Sequence, residues 1–326
     1  MMLQTLVEKF RGNPIISPIE SHGWESRQTF NPGAVEVEGA VRLLYRAIGE
    51  DGVSRLGYAV SRDGLNVSER LPHPVFEHDV SVSGPSEFRP IPSGSGGSVV
   101  GAEDPRLAAV GGEVFMTYTI YDGFNIRVAI ASILAEDLAE GRWRWRASRV
   151  ISPPHEKHKN WVVFPRRFDG RIAILHSLSP RVQIAYVEDL ESLTIRSEFD
   201  GGYAMGRRGK WDAVVRGAAA PPIETSDGWL LFYHASPARE VSGYGYMLGA
   251  MLLDAGRPEV PVSRTDSPLL VPTEWYEFAG FKPGVIYVTG AVRRGDEVFL
   301  YYGAADSHVA VATVDLNGLL SYLSRR

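Results

Sequence analysis

Apolar residues along this chain fall in short runs rich in Val, Ile, Tyr and Phe, each cut off by Gly, Asp, Pro or Ser. Runs of that length and β-branched content, bounded by turn formers, are the pattern of strands. Helical spacing is confined to the amino-terminal "LQTLVEKF", the closing "LNGLLSYLSRR" and a helical turn at "SILAEDLAEG". The pattern predicts an all-β protein with short terminal helical segments.

A longer period lies over these runs. Five times, a strand ending in an aromatic residue or a histidine enters a polar turn and leads into a second strand of small and apolar residues. The five are "VRLLYRAIGEDGVSRLGYAVSRDG", "VFMTYTIYDGFNIRVAIAS", "IAILHSLSPRVQIAYVEDL", "WLLFYHASPAREVSGYGYMLGAMLLD" and "VFLYYGAADSHVAVATVDL". With Tyr45, Tyr118, Leu175, Tyr233 and Tyr301 as equivalent markers, the steps run from 57 to 73 residues, each long enough for a four-stranded sheet. Radial stacking of like sheets covers both faces of every one, so the expected architecture is a five-bladed β-propeller, residues 1–326 forming one domain. Two β-sandwiches divided near residues 195–210, at "SEFDGGYAMGRRGK", are the competing arrangement; five similar units favour one closed array.

Composition narrows the function. The absence of cysteine removes disulfides, thiolate ligands and a thiol nucleophile, and fits a reducing compartment. No stretch approaches the roughly 20 apolar residues needed to cross a bilayer, and the amino terminus lacks the hydrophobic core of a secretion signal. A cytoplasmic protein with no membrane partner is expected. Net charge is −5 with both signs interspersed, which provides no basic stripe for nucleic acid. Any anion site must be a local arrangement. No GxSxG elbow, P-loop or dinucleotide fingerprint is present, and "SGSGGS" (93–98) reads as a loop, a lid or the wall of a subsite.

Candidate chemistry concentrates in "GAEDPRL" (101–107), where Glu103 and Asp104 precede a proline and Arg106. Residue chemistry alone allows an acidic surface turn or a catalytic acid. Polar residues also follow each marker strand: Arg46, Tyr121 with Asp122, His176, His234 and Asp306. In a propeller these would converge on one face. His176 and His234 lie in different repeats without metal-ligand spacing, so no metal is expected, and a buried, hydrogen-bonded histidine is the plain reading of each.

The motifs "FNPGAV", "LLYRA", "GAEDPRL", "YTIYDG", "KNWVVFP", "GRIAILHS", "GKWD", "APPIETSDGWLLFYHAS" and "YYGAAD", in this order over nearly the whole chain, resemble family 130 of the glycoside hydrolases. That family comprises β-mannoside phosphorylases and related mannosidases, and its members are five-bladed propellers with a central active site. The resemblance implies an inverting phosphorylase that converts a β-mannoside and inorganic phosphate into α-mannose 1-phosphate and a shortened sugar, with no cofactor. It makes Asp104 the general acid, passing its proton through a mannose hydroxyl. Such an acid must hold its proton near neutral pH; burial and Glu103 should raise its pKa, while Arg106 opposes this.

The resemblance further places phosphate at Lys159, Asn160 and His234, and sugar at Asn31, Arg46, His176 and Asp306. Glu103, Arg106, Tyr121, Asp122 and Tyr302 complete the expected sugar site, the two tyrosines by stacking. One position departs from the family: its phosphate-binding arginine is Ser177 here, and a hydroxyl grips phosphate less well than a guanidinium. Lys210, Arg216, Arg166 and Arg167 are candidate replacements. The same loss keeps a hydrolase in view, with Asp212, Glu224 or Glu240 as the base that activates water. A sugar-binding propeller without catalysis is the remaining alternative. Family relatives commonly assemble, so a homo-oligomer is expected.

Overall fold

In the computed structural model the protein is described for residues 3–79, 95–188, 190, 194–195, 204–237 and 245–325. Five antiparallel units follow one another. Blade one contains Gln28–Val37, Ala40–Ile48 and Val53–Ser61; blade two Val100–Val110, Glu113–Tyr121, Ile126–Leu134 and Arg146–Val150; blade three Val162–Phe168, Arg171–Ser177 and Gln183–Val187. Blade four contains Val214–Ala218, Gly228–Ser236, Met247–Leu253 and Pro261–Arg264, and blade five Ile286–Arg294, Glu297–Ala304 and His308–Asp315. A short parallel contact of Val53 and Ser54 with Val100 and Gly101 joins blades one and two.

The marker residues fall on the second strand of each blade, and alternation along that strand explains its nearly continuous apolar run. In blade one Leu43, Tyr45 and Ala47 face blade five while Leu44 faces blade two. In blade five Phe299 and Tyr301 face blade one, and Leu300 and Tyr302 face blade four. Five separate apolar clusters lie between consecutive blades, including the last and the first, so the packing runs round a closed ring. This is the five-bladed propeller read from the repeats, and it buries both faces of every central strand.

The amino terminus departs from expectation. Only Leu3–Leu6 makes a single 3-10 turn, and Val7–Lys9 is a strand paired with Val314, Thr313 and Ala312. Ring closure overrides local helical spacing, because the exposed edge of His308–Asp315 needs a partner for its backbone groups. The carboxy-terminal helix Leu316–Ser324 forms as read, capped by Asp315, and packs Leu316, Leu319, Leu320 and Leu323 against Leu3, Leu6 and blade five. Among the described residues no helix is long and apolar enough to cross a membrane.

Tyr302, expected at the sugar site, belongs instead to the interface of blades four and five. Its hydroxyl donates to the fully buried Glu277 at 2.9 Å. Tyr302→Phe leaves that carboxylate oxygen without its donor, so a loss of about 1–3 kcal/mol of stability is expected in urea denaturation.

Candidate active site

Each inner strand slips register with its second strand near the marker position. The slips lie between Phe30 and Gly33, Glu103 and Arg106, Val163 and Arg167, Val215 and Gly217, and Val288 and Gly290. A bulge of this kind re-aims the displaced side chains. Here they include Asn31, Asp104 and Arg216, all of which line a central cavity of about 340 Å³. Asn31 and Asp104 adopt left-handed backbone, with φ of 46° and 50°, a conformation Asn and Asp tolerate better than other side chains. The strands approach closely: a Cβ on Gly33 would stand 2.7 Å from the Pro105 carbonyl oxygen.

The two neighbouring acids of "GAEDPRL" have separate surroundings. Glu103 is fully buried and accepts from Ser95 Oγ at 2.6 Å, Ser98 Oγ at 2.7 Å, and Arg46 Nη2 and Lys159 Nζ at 3.0 Å each. Asp104 accepts through Oδ1 from Asn31 Nδ2 at 2.7 Å and Arg46 Nη1 at 3.1 Å, and its carboxyl lines the cavity. The expected rise in its pKa is reversed. Burial pushes the carboxyl up, but Arg46, Lys159 and Arg106, with the Asn31 hydrogen bond, together hold it well below the usual carboxylate range.

Asp306, in the hairpin between the last two strands of blade five, shares the cavity and behaves oppositely. Burial raises its carboxyl to about 6, against the pull of Lys282, Arg46 and Lys159 and with help from Asp104. The folded state therefore binds this proton more tightly than the unfolded chain, and stability falls as pH rises from about 4 to about 6. Asp306→Asn escapes that cost. It should be more stable than the parent at pH 7.5, by on the order of 2–3 kcal/mol, with the difference vanishing at pH 4; equal melting curves at both pH values would refute this.

Asn160 closes the floor: its Oδ1 accepts from Tyr287 Oη at 2.6 Å and Arg106 Nη2 at 2.7 Å, and its Nδ2 donates to the Arg216 carbonyl at 2.7 Å. Arg106 also donates to the Asp104 and Ala219 carbonyls at 2.9 Å each, binding blades two, three and four beneath the cavity. Asn31, Arg46, Asp104, Lys159, Asn160 and Asp306 are thus brought together, with Glu103 and Arg106 under them.

Other expected residues lie elsewhere. His234 is fully buried, stacked on Tyr287 with centroids 4.2 Å apart, and its Nε2 accepts from the Val288 amide at 2.9 Å. Burial and Arg106 push its pKa down, so it is neutral and supports Tyr287 without lining the cavity. His176 packs against Trp161, burial lowering its pKa to about 4. Tyr121 donates to the Gly123 carbonyl and Asp122 caps the turn at Phe124 and Asn125. Lys210 is exposed in a turn. These second-strand and hairpin positions stand one strand away from the axis, and only the long Arg46 and the Asp306 turn reach it.

The alternative bases are engaged as well. Asp212 is buried under both oxygens' contacts with Arg207 at 2.9 Å and the Tyr233 hydroxyl at 2.9 Å, and the exposed Glu224 pairs with Arg166. Arg167 is exposed and donates to the Gly170 carbonyl. Glu240 lies outside the described residues. Ser177 donates to the Ser179 carbonyl at 3.3 Å and does not line the cavity.

Ser95 and Gly96 belong to the loop read as a lid or subsite wall, whereas sequence reasoning missed Ile126, Lys157, Tyr246, Lys282 and Tyr287 among the lining residues. Tyr287 stands just before the register slip of blade five, so aligning inner strands would have found it. Tyr246 lies in the hairpin between the second and third strands of blade four, and Lys282 in the connection from blade four to blade five, where no repeat signal operates.

Known proteins are similar to this chain in sequence and fold. The family model described as β-1,4-mannooligosaccharide phosphorylase, of glycoside hydrolase family 130, matches residues 7–325. A 1,2-β-oligomannan phosphorylase of Thermoanaerobacter sp. (strain X514) is 30% identical over 96% of this chain and 98% of its own. A solved structure, presented as evidence that the family 130 mannoside phosphorylases contain glycoside hydrolases targeting β-1,2 mannosidic linkages in Candida mannan, is 28% identical. It covers 94% of this chain and 93% of that one, with a TM-score of 0.74. The β-1,2-mannobiose phosphorylase of Listeria innocua, 22% identical, matches in fold over 98% of this chain and 99% of its own, with a TM-score of 0.75. The family-model match and the relatives agree: the chain belongs to glycoside hydrolase family 130.

Proposed function

We propose that this protein is an inverting glycoside phosphorylase that cleaves β-1,2-linked mannosides with inorganic phosphate, releasing α-mannose 1-phosphate and a sugar one residue shorter. The observation that carries the reading is local charge. In a chain of net charge −5, the cavity gathers Arg46, Lys157, Lys159, Arg216 and Lys282 against two carboxylates, Asp104 and Asp306. Ordinary glycosidases divide acid and base work between two carboxylates. A phosphorylase needs one acid and a cradle for an anion that is already nucleophilic. The β-1,2 linkage rests on relatives named 1,2-β-oligomannan phosphorylase and β-1,2-mannobiose phosphorylase, each 30% identical to this chain.

In this mechanism a phosphate oxygen attacks the anomeric carbon, the glycosidic C–O bond breaks, and Asp104 supplies the proton for the leaving oxygen, by way of a mannose hydroxyl. Asn31 and Arg46 hold the carboxyl. The cations that keep Asp104 ionised also attract phosphate, whose negative charge offsets them and lets the carboxyl take up the proton it will donate. Acid and nucleophile are then made ready together.

The test is incubation with β-1,2-mannobiose, and with the β-1,4 isomer, in the presence and absence of phosphate. Mannose 1-phosphate formed only with phosphate is the expected result. Free mannose released equally fast without phosphate would replace this reading by a hydrolase, a reading kept open by Ser177, and binding without turnover would leave a sugar-binding propeller.

A further inference from the structure

We propose that Lys282 is the cation that grips phosphate in place of the arginine missing at position 177, and that Tyr246 positions it. This rests on the phosphorylase reading above and names a residue that the reading does not require.

Lys282 lines the cavity from the connection between blades four and five, whereas Ser177 belongs to blade three. Its backbone is fixed: the Lys282 amide donates to the Ala305 carbonyl at 2.9 Å, and the preceding Phe281 amide to Ser307 Oγ at 2.8 Å. Both bonds reach the hairpin that presents Asp306. The strap is therefore registered to the cavity wall.

Its ammonium is treated differently from that of Lys159 in the same wall. Lys159 is consumed by Ser95 Oγ at 2.8 Å and Glu103 at 3.0 Å. Among the described residues Lys282 has no ion pair and no side-chain hydrogen bond; its contact is with the face of Tyr246, Nζ standing 4.8 Å from the ring centroid. The same ring receives the Arg216 guanidinium at 4.4 Å. One aromatic ring thus gathers two cations into one cavity. Cation–π attraction supports each, while their mutual repulsion opposes the arrangement. An anion between them removes the repulsion, and phosphate gains two donors already held in place. Asp306 attracts Lys282 through space, and the lysine pulls its carboxyl down, but among the described residues the two make no salt bridge.

Steady-state phosphorolysis of β-1,2-mannobiose by the full chain, with phosphate as the varied substrate, tests this. In Lys282→Gln the KM for phosphate should rise about ten- to a hundredfold, the loss of one charge-assisted hydrogen bond, while the KM for mannobiose changes by less than about twofold. Lys282→Arg should restore most of the phosphate affinity, and Tyr246→Leu should weaken phosphate in the same direction. Calorimetric titration of inorganic phosphate into the parent and Lys282→Gln proteins should show the same loss in binding. A phosphate KM in Lys282→Gln within about twofold of the parent, or a rise confined to the mannobiose KM, overturns the proposal while leaving the phosphorylase intact. Parent turnover that ignores phosphate is a separate result, and it removes the phosphorylase and this proposal together.

Discussion

Asp104→Asn should lower kcat/KM for phosphorolysis of β-1,2-mannobiose by about 10²- to 10⁴-fold, the usual contribution of a positioned general acid. The amide fills the space of the carboxyl and still offers an oxygen to Asn31 Nδ2 and Arg46 Nη1. The transferable proton is lost, and with it the negative charge that faces Arg46, Lys159 and Arg106. Arg46 keeps its bond to Glu103, so melting temperature should change far less than activity. A substrate whose leaving group departs without protonation, such as dinitrophenyl β-mannoside, should recover much of the loss. Activity within tenfold of the parent on mannobiose, or an equal deficit on both substrates, would show that Asp104 is not the acid.

Arg46→Leu should cost about 3–5 kcal/mol of stability, the largest single-residue effect expected in this protein. The guanidinium is 1% exposed and donates to Ser54 Oγ, the Ser95 carbonyl, Ser98 Oγ, Glu103 and Asp104. Removing it strands one carboxylate with only Lys159 as cation and the other with an amide. Because Asp104 then loses the foremost of the cations that hold it ionised, the deficit should shrink as pH is lowered and Asp104 takes up a proton. Urea denaturation at pH 7.5 and pH 5 measures both parts. A deficit below 1 kcal/mol at pH 7.5, or one that grows on acidification, would overturn the assignment of Arg46 as the counter-charge of the pair.

The ring itself was legible because its signals are local. Val, Tyr and Phe alternate along a strand, Gly and Asp end it, and the marker tyrosines recur where every second strand passes between two blades. Asp104 was legible through its motif, and Asn31 and Asp306 through theirs. Tyr302, His234 and His176 were misplaced for a single reason: the residue types that bind sugars or phosphate also satisfy one another inside a blade interface. Nothing in a one-dimensional pattern separates a histidine that accepts a backbone amide from one that meets a ligand. The amino-terminal strand was misread for the converse reason, since the edge it completes is formed by residues more than 300 positions away.

By itself, then, the amino-acid sequence determined the number of blades, the strand that each marker occupies and the motif that carries Asp104 into the central cavity, all of which depend on neighbours in the chain or on a contiguous motif. The tertiary structure decided which side chains reach the axis, through register slips in the inner strands. It also decided the charge state of the cavity. That property is a through-space sum: Arg46 from blade one, Lys159 from the entry to blade three and Arg106 from blade two hold Asp104 ionised, and burial raises the Asp306 carboxyl to about 6. No local stretch of chain contains those distances.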